Sequence, residues 1–103
     1  MLMDNDTNNP NYWWVWVELT NVLGNKGWLL GEADLIGFVF PSQLWLIKRT
    51  NLYHFFSTNV QNILVPNKSQ ANYKLYQRHN RKDIISRLNL LDIQKSYRFF
   101  KLK

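Results

Sequence analysis

Residues 12–20 read YWWVWVELT, and they carry more of the architecture than any other stretch. Trp, Val and Tyr favour the extended, pleated backbone of a strand. Nearly every position is apolar, so the run is expected to be a central strand covered on both faces. Glu18 lies within it, and a carboxylate in so apolar a setting needs a partner to offset its desolvation. Two partners suit it. One is a Lys or Arg at the strand end. The other is a metal ion, since Mg²⁺ is commonly held by one or two carboxylates together with water and phosphate.

On the C-terminal side, residues 21–27 (NVLGNKG) contain two Gly and two Asn and predict a turn, after which 28–30 resume an extended path. Residues 33–40 (ADLIGFVF) and 44–48 (LWLIK) flank Pro41-Ser42-Gln43 and predict a hairpin. Thr50 is placed as the N-cap of a helix over 51–58, with Leu52, Phe55 and Phe56 facing the sheet. Residues 59–71 read as a long connection. Residues 73–78 (YKLYQR) and 83–88 (DIISRL) predict two more strands. Asn89 caps one or two helical turns over 90–95, and 97–102 (YRFFKL) closes the chain as a strand. On the N-terminal side, residues 1–11 are polar and Asn-rich and read as an arm. The expected architecture is one α+β domain over 12–103, with a mixed central β-sheet and one or two packed helices.

A chain of 103 residues has room for one hydrophobic core. Its apolar share of 46% and charged share of 19% are those of a folded protein. No Cys is present, which excludes disulfides, thiolate metal sites and a Cys nucleophile. His54 and His79 match no zinc spacing, the glycines match no nucleotide fingerprint, and no Ser sits in a nucleophile-elbow context. There is no signal core and no apolar stretch of membrane-spanning length, so a cytoplasmic setting without a membrane partner is expected. Five Trp, five Tyr and six Phe let a short chain bury much surface, or supply rings that stack on bases or line an interface.

The formal net charge of +6 favours an anionic partner. Through Gln43 the chain holds five acids and one Lys; from Lys48 onward it holds twelve bases and two acids. Tyr73, Lys74, Tyr76, Arg78, Arg81 and Lys82 interleave rings and cations, a pattern that suits phosphate contacts with base stacking. Lys48 and Arg49 extend that basic set. A solvated strand face would read the same way.

The segment VWVELTNVLGNKGWLLGEADLIGF resembles the middle of small phage-type nucleases of the PD-(D/E)XK, or restriction-endonuclease-like, superfamily. In those proteins a strand ending in Glu-x-Lys is followed by a Gly-containing turn, a Gly-Trp and a strand beginning Ala-Asp. LWLIKRTNLYHFF resembles the next strand and its helix, and YKLYQRHNRKDIISRL resembles a late Tyr/Arg-rich hairpin. The resemblance implies a restriction-endonuclease-like core, Mg²⁺ or Mn²⁺ as cofactor, and DNA as substrate. It puts the metal-binding Glu at Glu18 and Thr20 where the family has its Lys, with Lys48 as the substitute cation. The upstream Asp falls at Asp6. Asp34 is a further candidate ligand that reaches Glu18 if their strands lie side by side; it equally caps the turn at Gly31. Nucleases of this fold often act as dimers, so a homodimer is a further expectation, and a phage-encoded protein in a host cytosol another. The functional reading therefore divides. One branch is a metal-dependent DNA endonuclease or a degenerate DNA-binding relative of one. The others are a non-catalytic nucleic-acid-binding module and a small phage-type interaction protein.

Overall fold

The Trp/Val alternation of the decisive run becomes strand β1 (Trp14–Thr20) in the computed structural model, which describes residues 12–103. The expected polar arm, with Asp6, lies outside the described residues. Val15 and Val17 are fully buried on one face of β1, while Trp14, Trp16 and Glu18 are half-buried on the other. β1 pairs antiparallel with β6 (Ile84–Asn89), placing Val15 opposite Leu88 and Trp16 opposite Arg87. β6 pairs antiparallel with β5 (Lys74–Tyr76), and β5 pairs parallel with β4 (Gln61–Val65). A separate antiparallel sheet holds β2 (Leu35–Val39), β3 (Leu44–Lys48) and β7 (Phe100–Leu102), in the order β2-β3-β7.

The α+β class is as expected, and so is the β2–β3 hairpin. The single central sheet is not: the strands divide between two sheets. Nor is β1 central, because the order β1-β6-β5-β4 leaves it at an edge. The physical reason lies in its outward residues. Trp14 and Trp16 pack on the rings of Tyr73 and Tyr76, and among the described residues these side chains cover that face themselves. The edge itself is shielded. The 3₁₀ turn Trp28–Leu30, expected as extended chain, lies against β1, and the Gly27 N–H donates to the Leu19 carbonyl at 2.8 Å.

Helix α1 (Arg49–Asn59) follows β3 without a loop. Thr50 does not cap it. Lys48 occupies the N-cap without a side-chain bond, and the Arg49 N–H donates to the Asp34 carbonyl at 2.9 Å, so the β2 side of the hairpin takes over that part of the cap. Leu52, Phe55 and Phe56 are buried as expected. The short helix α2 (Leu90–Gln94) is capped by Asn89, whose Oδ1 accepts from the Leu91 N–H at 2.8 Å. β4 lies within the expected long connection. Its residues are exposed but for a half-buried Val65, so no inward–outward alternation marks it, and the parallel ladder to β5 carries it.

The core joins Val15, Val17, Leu88, Leu90 and Ile93 to Ile47 and the buried face of α1. Each fully buried aliphatic side chain contributes about 1.5–3 kcal/mol. Tyr12, Trp13, Phe40, Trp45 and Phe99 form a chain of rings with neighbouring centroids 4.7–5.6 Å apart. These rings serve packing. Among the described residues no helix is long and apolar enough to cross a membrane.

Candidate functional site

Alternation along β1 and β6 puts two kinds of residue on opposite faces of the four-stranded sheet. Val15, Val17, Ser86 and Leu88 face the core. Trp14, Trp16, Glu18, Ile85 and Arg87 take the outer face. Glu18 stands opposite Ile85, and Ile85 opposite Tyr76, so a carboxylate, an aliphatic chain and a phenol form one row across three strands. Trp16 leans toward Tyr76, with ring centroids 6.2 Å apart. Trp14 meets the ring of Tyr73 edge-on at 5.7 Å and carries the Arg87 guanidinium 5.5 Å above its own ring.

Three further side chains close over this row. Trp28 comes from the 3₁₀ turn beside β1, Lys68 from a second 3₁₀ turn (Lys68–Gln70), and Arg78 from the chain just after β5. With Trp16, Glu18, Tyr76 and Ile85 they line a cleft of about 380 Å³. Trp16 and Trp28 also line a second cleft of about 400 Å³, whose other walls are Leu35, Ile36, Gly37 and Phe38. The two indoles are thus shared between a charged cleft and an apolar one. Gly27 makes the approach possible. A Cβ there would lie 2.6 Å from the Glu18 carbonyl oxygen and 2.8 Å from its Cγ, so only glycine lets the turn bring Trp28 alongside Glu18.

The cations are held differently. Arg78 donates from Nε to Asp83 Oδ2 at 2.7 Å and from a terminal nitrogen at 2.5 Å, while its side chain stays 44% exposed. Asp83 is fully buried, and its Oδ1 has no hydrogen-bond partner among the described residues. Arg78 is therefore anchored at one edge and open at the other. Glu18 has no ion-pair or side-chain hydrogen-bond partner among the described residues.

Of the residues singled out in the sequence, Glu18, Tyr76 and Arg78 come together here. Asp34, Lys48 and Arg49 line a different cleft, of about 320 Å³. Arg49 there donates to the Ala33 carbonyl at 2.8 Å and the Leu29 carbonyl at 3.1 Å, tying the helix start to the 3₁₀ turn. Thr20 ends β1, bridging to Lys26, and does not line the Glu18 cleft. Tyr73 has the left-handed φ of 57°; its hydroxyl donates to Asp92 and accepts from the Asn89 N–H at 3.2 Å. Burial, and then that bond to Asp92, push its phenol well above the ordinary tyrosine range. Lys74 is half-buried on β5, and Arg81 and Lys82 are exposed between β5 and β6. Among the described residues no group of three or more His, Asp or Glu side chains could hold a metal ion.

Trp16, Trp28, Lys68 and Ile85 are the lining residues not anticipated. Trp16 was legible in principle, since it lies two residues before Glu18 and so shares its face of the strand. Lys68 arrives through tertiary packing alone. No family model, curated protein or solved structure matches this chain. Three rings, two cations and one carboxylate without a partner among the described residues suit a planar ligand that carries phosphate.

Proposed function

We propose that the protein is a nucleic-acid-binding module that holds DNA on the outer face of its four-stranded sheet. The observation that carries this reading is the convergence of Trp16, Trp28 and Tyr76 with Lys68 and Arg78 in one cleft. Rings of this kind stack on unpaired bases, and cations beside them meet the phosphates. The surplus of twelve bases over two acids from Lys48 onward supplies the long-range attraction. A cytosolic, phage-encoded setting accords with that role.

The hydrolytic branch would make this sheet a reduced restriction-endonuclease-like core with Glu18 as its Mg²⁺ ligand. The described side chains do not fit it: Glu18 is the single carboxylate of its cleft, and Asp34 shares a different one with Lys48. Binding without cutting is the better-supported branch. Fluorescence anisotropy with single-stranded oligonucleotides at rising salt tests it. Affinity should fall steeply with salt, and Lys68→Ala should reduce the logarithmic slope by about 0.7. Absence of binding at low salt would sink the proposal, and Mn²⁺-dependent cleavage of the same strands would restore the hydrolytic branch.

A homodimer has a separate basis. On the outer face of the three-stranded sheet Leu35, Val39, Phe100 and Leu102 are 42–53% exposed. Lys101 lies on the Trp45 side of β7, its ammonium 4.0 Å from that ring centre and donating to Gln94 Oε1 at 3.2 Å while the residue stays exposed, and Phe100 and Leu102 take the other side. A strand whose outer side carries two half-exposed apolar chains is suited to being covered. Homodimer interfaces are the most apolar class.

A further inference from the structure

We infer that the charged cleft selects an unpaired guanine, with Glu18 reading the base; this rests on the nucleic-acid-binding role proposed above. The starting observation is that Glu18 faces a cleft walled by Trp16 and Trp28, yet has no cation or hydrogen-bond donor as partner among the described residues. Lys68 and Arg78 line the same cleft without pairing to it, and Arg78 is already committed at one edge to Asp83. An ionised carboxylate is an acceptor only, with two oxygens side by side. It is satisfied by a ligand that presents two adjacent N–H donors.

Among the common bases only guanine does so on its Watson–Crick edge, through N1–H and the N2 amino group. Adenine offers one amino group beside the N1 lone pair, and cytosine one amino group beside the N3 lone pair. Thymine offers a single N3–H flanked by two carbonyl oxygens. Each of these three sets at least one lone pair against the carboxylate, which leaves a polar group unpaired at the contact. Guanine also has the large purine face that stacks well on an indole. The cations then complete the nucleotide, since Lys68 and the uncommitted edge of Arg78 can meet its phosphate at the open side of the cleft. The Watson–Crick edge is available only in a single strand, a loop or a bulge, so a paired guanine is not a ligand.

The test uses the full chain and fluorescein-labelled ten-nucleotide dT strands carrying one central guanine, adenine, cytosine or hypoxanthine. The guanine strand should bind roughly 5- to 150-fold more tightly than the adenine and cytosine strands, the range that one good bidentate contact gives. Hypoxanthine keeps N1–H and lacks the N2 amino group, so it should fall between them. This substitution tests the contact from the ligand side, with the protein unaltered. Glu18→Gln replaces one acceptor by a donor, which matches the edges of adenine and cytosine. It should abolish the guanine preference and tighten binding of those two strands, while the salt slope stays. A preference for guanine that survives in Glu18→Gln would overturn the assignment to Glu18. Equal, salt-dependent binding of all four strands by the wild type would overturn the inference and leave the binding role standing. No binding of any strand would overturn both.

Discussion

The outer faces of the two sheets hold their side chains in different ways. On the four-stranded sheet the half-buried groups are tied to their neighbours. Trp14 packs on Tyr73 and under Arg87, Trp16 leans on Tyr76, Arg78 is clamped to Asp83, and Tyr73 bonds Asp92. On the three-stranded sheet Leu35, Val39, Phe100 and Leu102 stand half-exposed with no polar atom to fix them. Interlocked rings and cations make a rigid surface that presents its groups in a fixed pattern, which is what reading a small polar ligand requires. An aliphatic face fixes nothing by direction. It gains only by excluding water, so its natural complement is another apolar face. Substitutions on the two faces should accordingly differ in what they disturb.

The largest expected effect is on the interlocked face. Arg78→Ala leaves Asp83 as a fully buried carboxylate with no cation beside it. Removing one member of a buried pair is strongly destabilising. Because 44% of the Arg78 side chain is exposed, water reaches the vacated space, and the low end of the range applies: about 3 kcal/mol. Denaturant melts of the two proteins measure it. A loss below about 1 kcal/mol would show that the Arg78–Asp83 clamp does little to hold this face together.

A smaller effect comes from Tyr73→Phe, whose ring meets Trp14 of that face. It removes a hydrogen bond given to Asp92 and one received from the Asn89 N–H, with an expected loss of about 1–3 kcal/mol. The pH dependence follows from the sign of the shift. The folded phenol titrates above the unfolded value of about 10, so its stabilisation is fully present below that pH. It is lost as pH rises through the folded value. Stability of the wild type should therefore decline in the alkaline range above about pH 10, and Tyr73→Phe should flatten part of that decline. Identical alkaline melts for both proteins would remove Tyr73 from the network.

The two faces also differ in how far the sequence reveals them. The hairpin of β2 and β3, the buried stripe of α1 and the Asn89 cap follow from local periodicity and turn chemistry, which act within a few residues. The outer face of β1 follows less well. Its Trp residues satisfy the apolar pattern of a central strand, although two of them cover the face themselves. β4 leaves no pattern, because a strand exposed on both sides has no inward–outward alternation. The candidate cleft is half legible. Glu18, Tyr76 and Arg78 stand out as a carboxylate in a strand and as an interleaved ring and cation. Lys68 and Trp28 lie on 3₁₀ turns distant in sequence, and only the packing against β1 and β5 brings them in. Asp34 and Lys48 show the converse. They are as prominent in sequence as Glu18, yet the division into two sheets sends them to another cleft.

The smallest expected change in stability belongs to the aliphatic face, and it is the most telling for assembly. Val39 is 42% exposed and Leu102 is 53% exposed, so about half of each side chain is already wet in the monomer. Replacing either by Lys removes little buried contact, and the flexible stem can lie along the sheet while its ammonium stays in water. Each of Val39→Lys and Leu102→Lys should therefore change monomer stability by no more than about 0.5 kcal/mol. Self-association should respond quite differently. In a two-fold interface each substitution appears twice, so a single Lys places two ammonium groups in a dehydrated apolar contact with no acid to receive them. Light scattering should find the wild type as a dimer and both variants as monomers at the same concentration. A wild type that stays monomeric over a wide concentration range would end the homodimer reading. Dimers that persist in both Lys variants would move the interface off this sheet. Dissociation at nearly unchanged melting would mean that β7 turns Lys101 toward Trp45 so that Phe100 and Leu102 can meet a second copy.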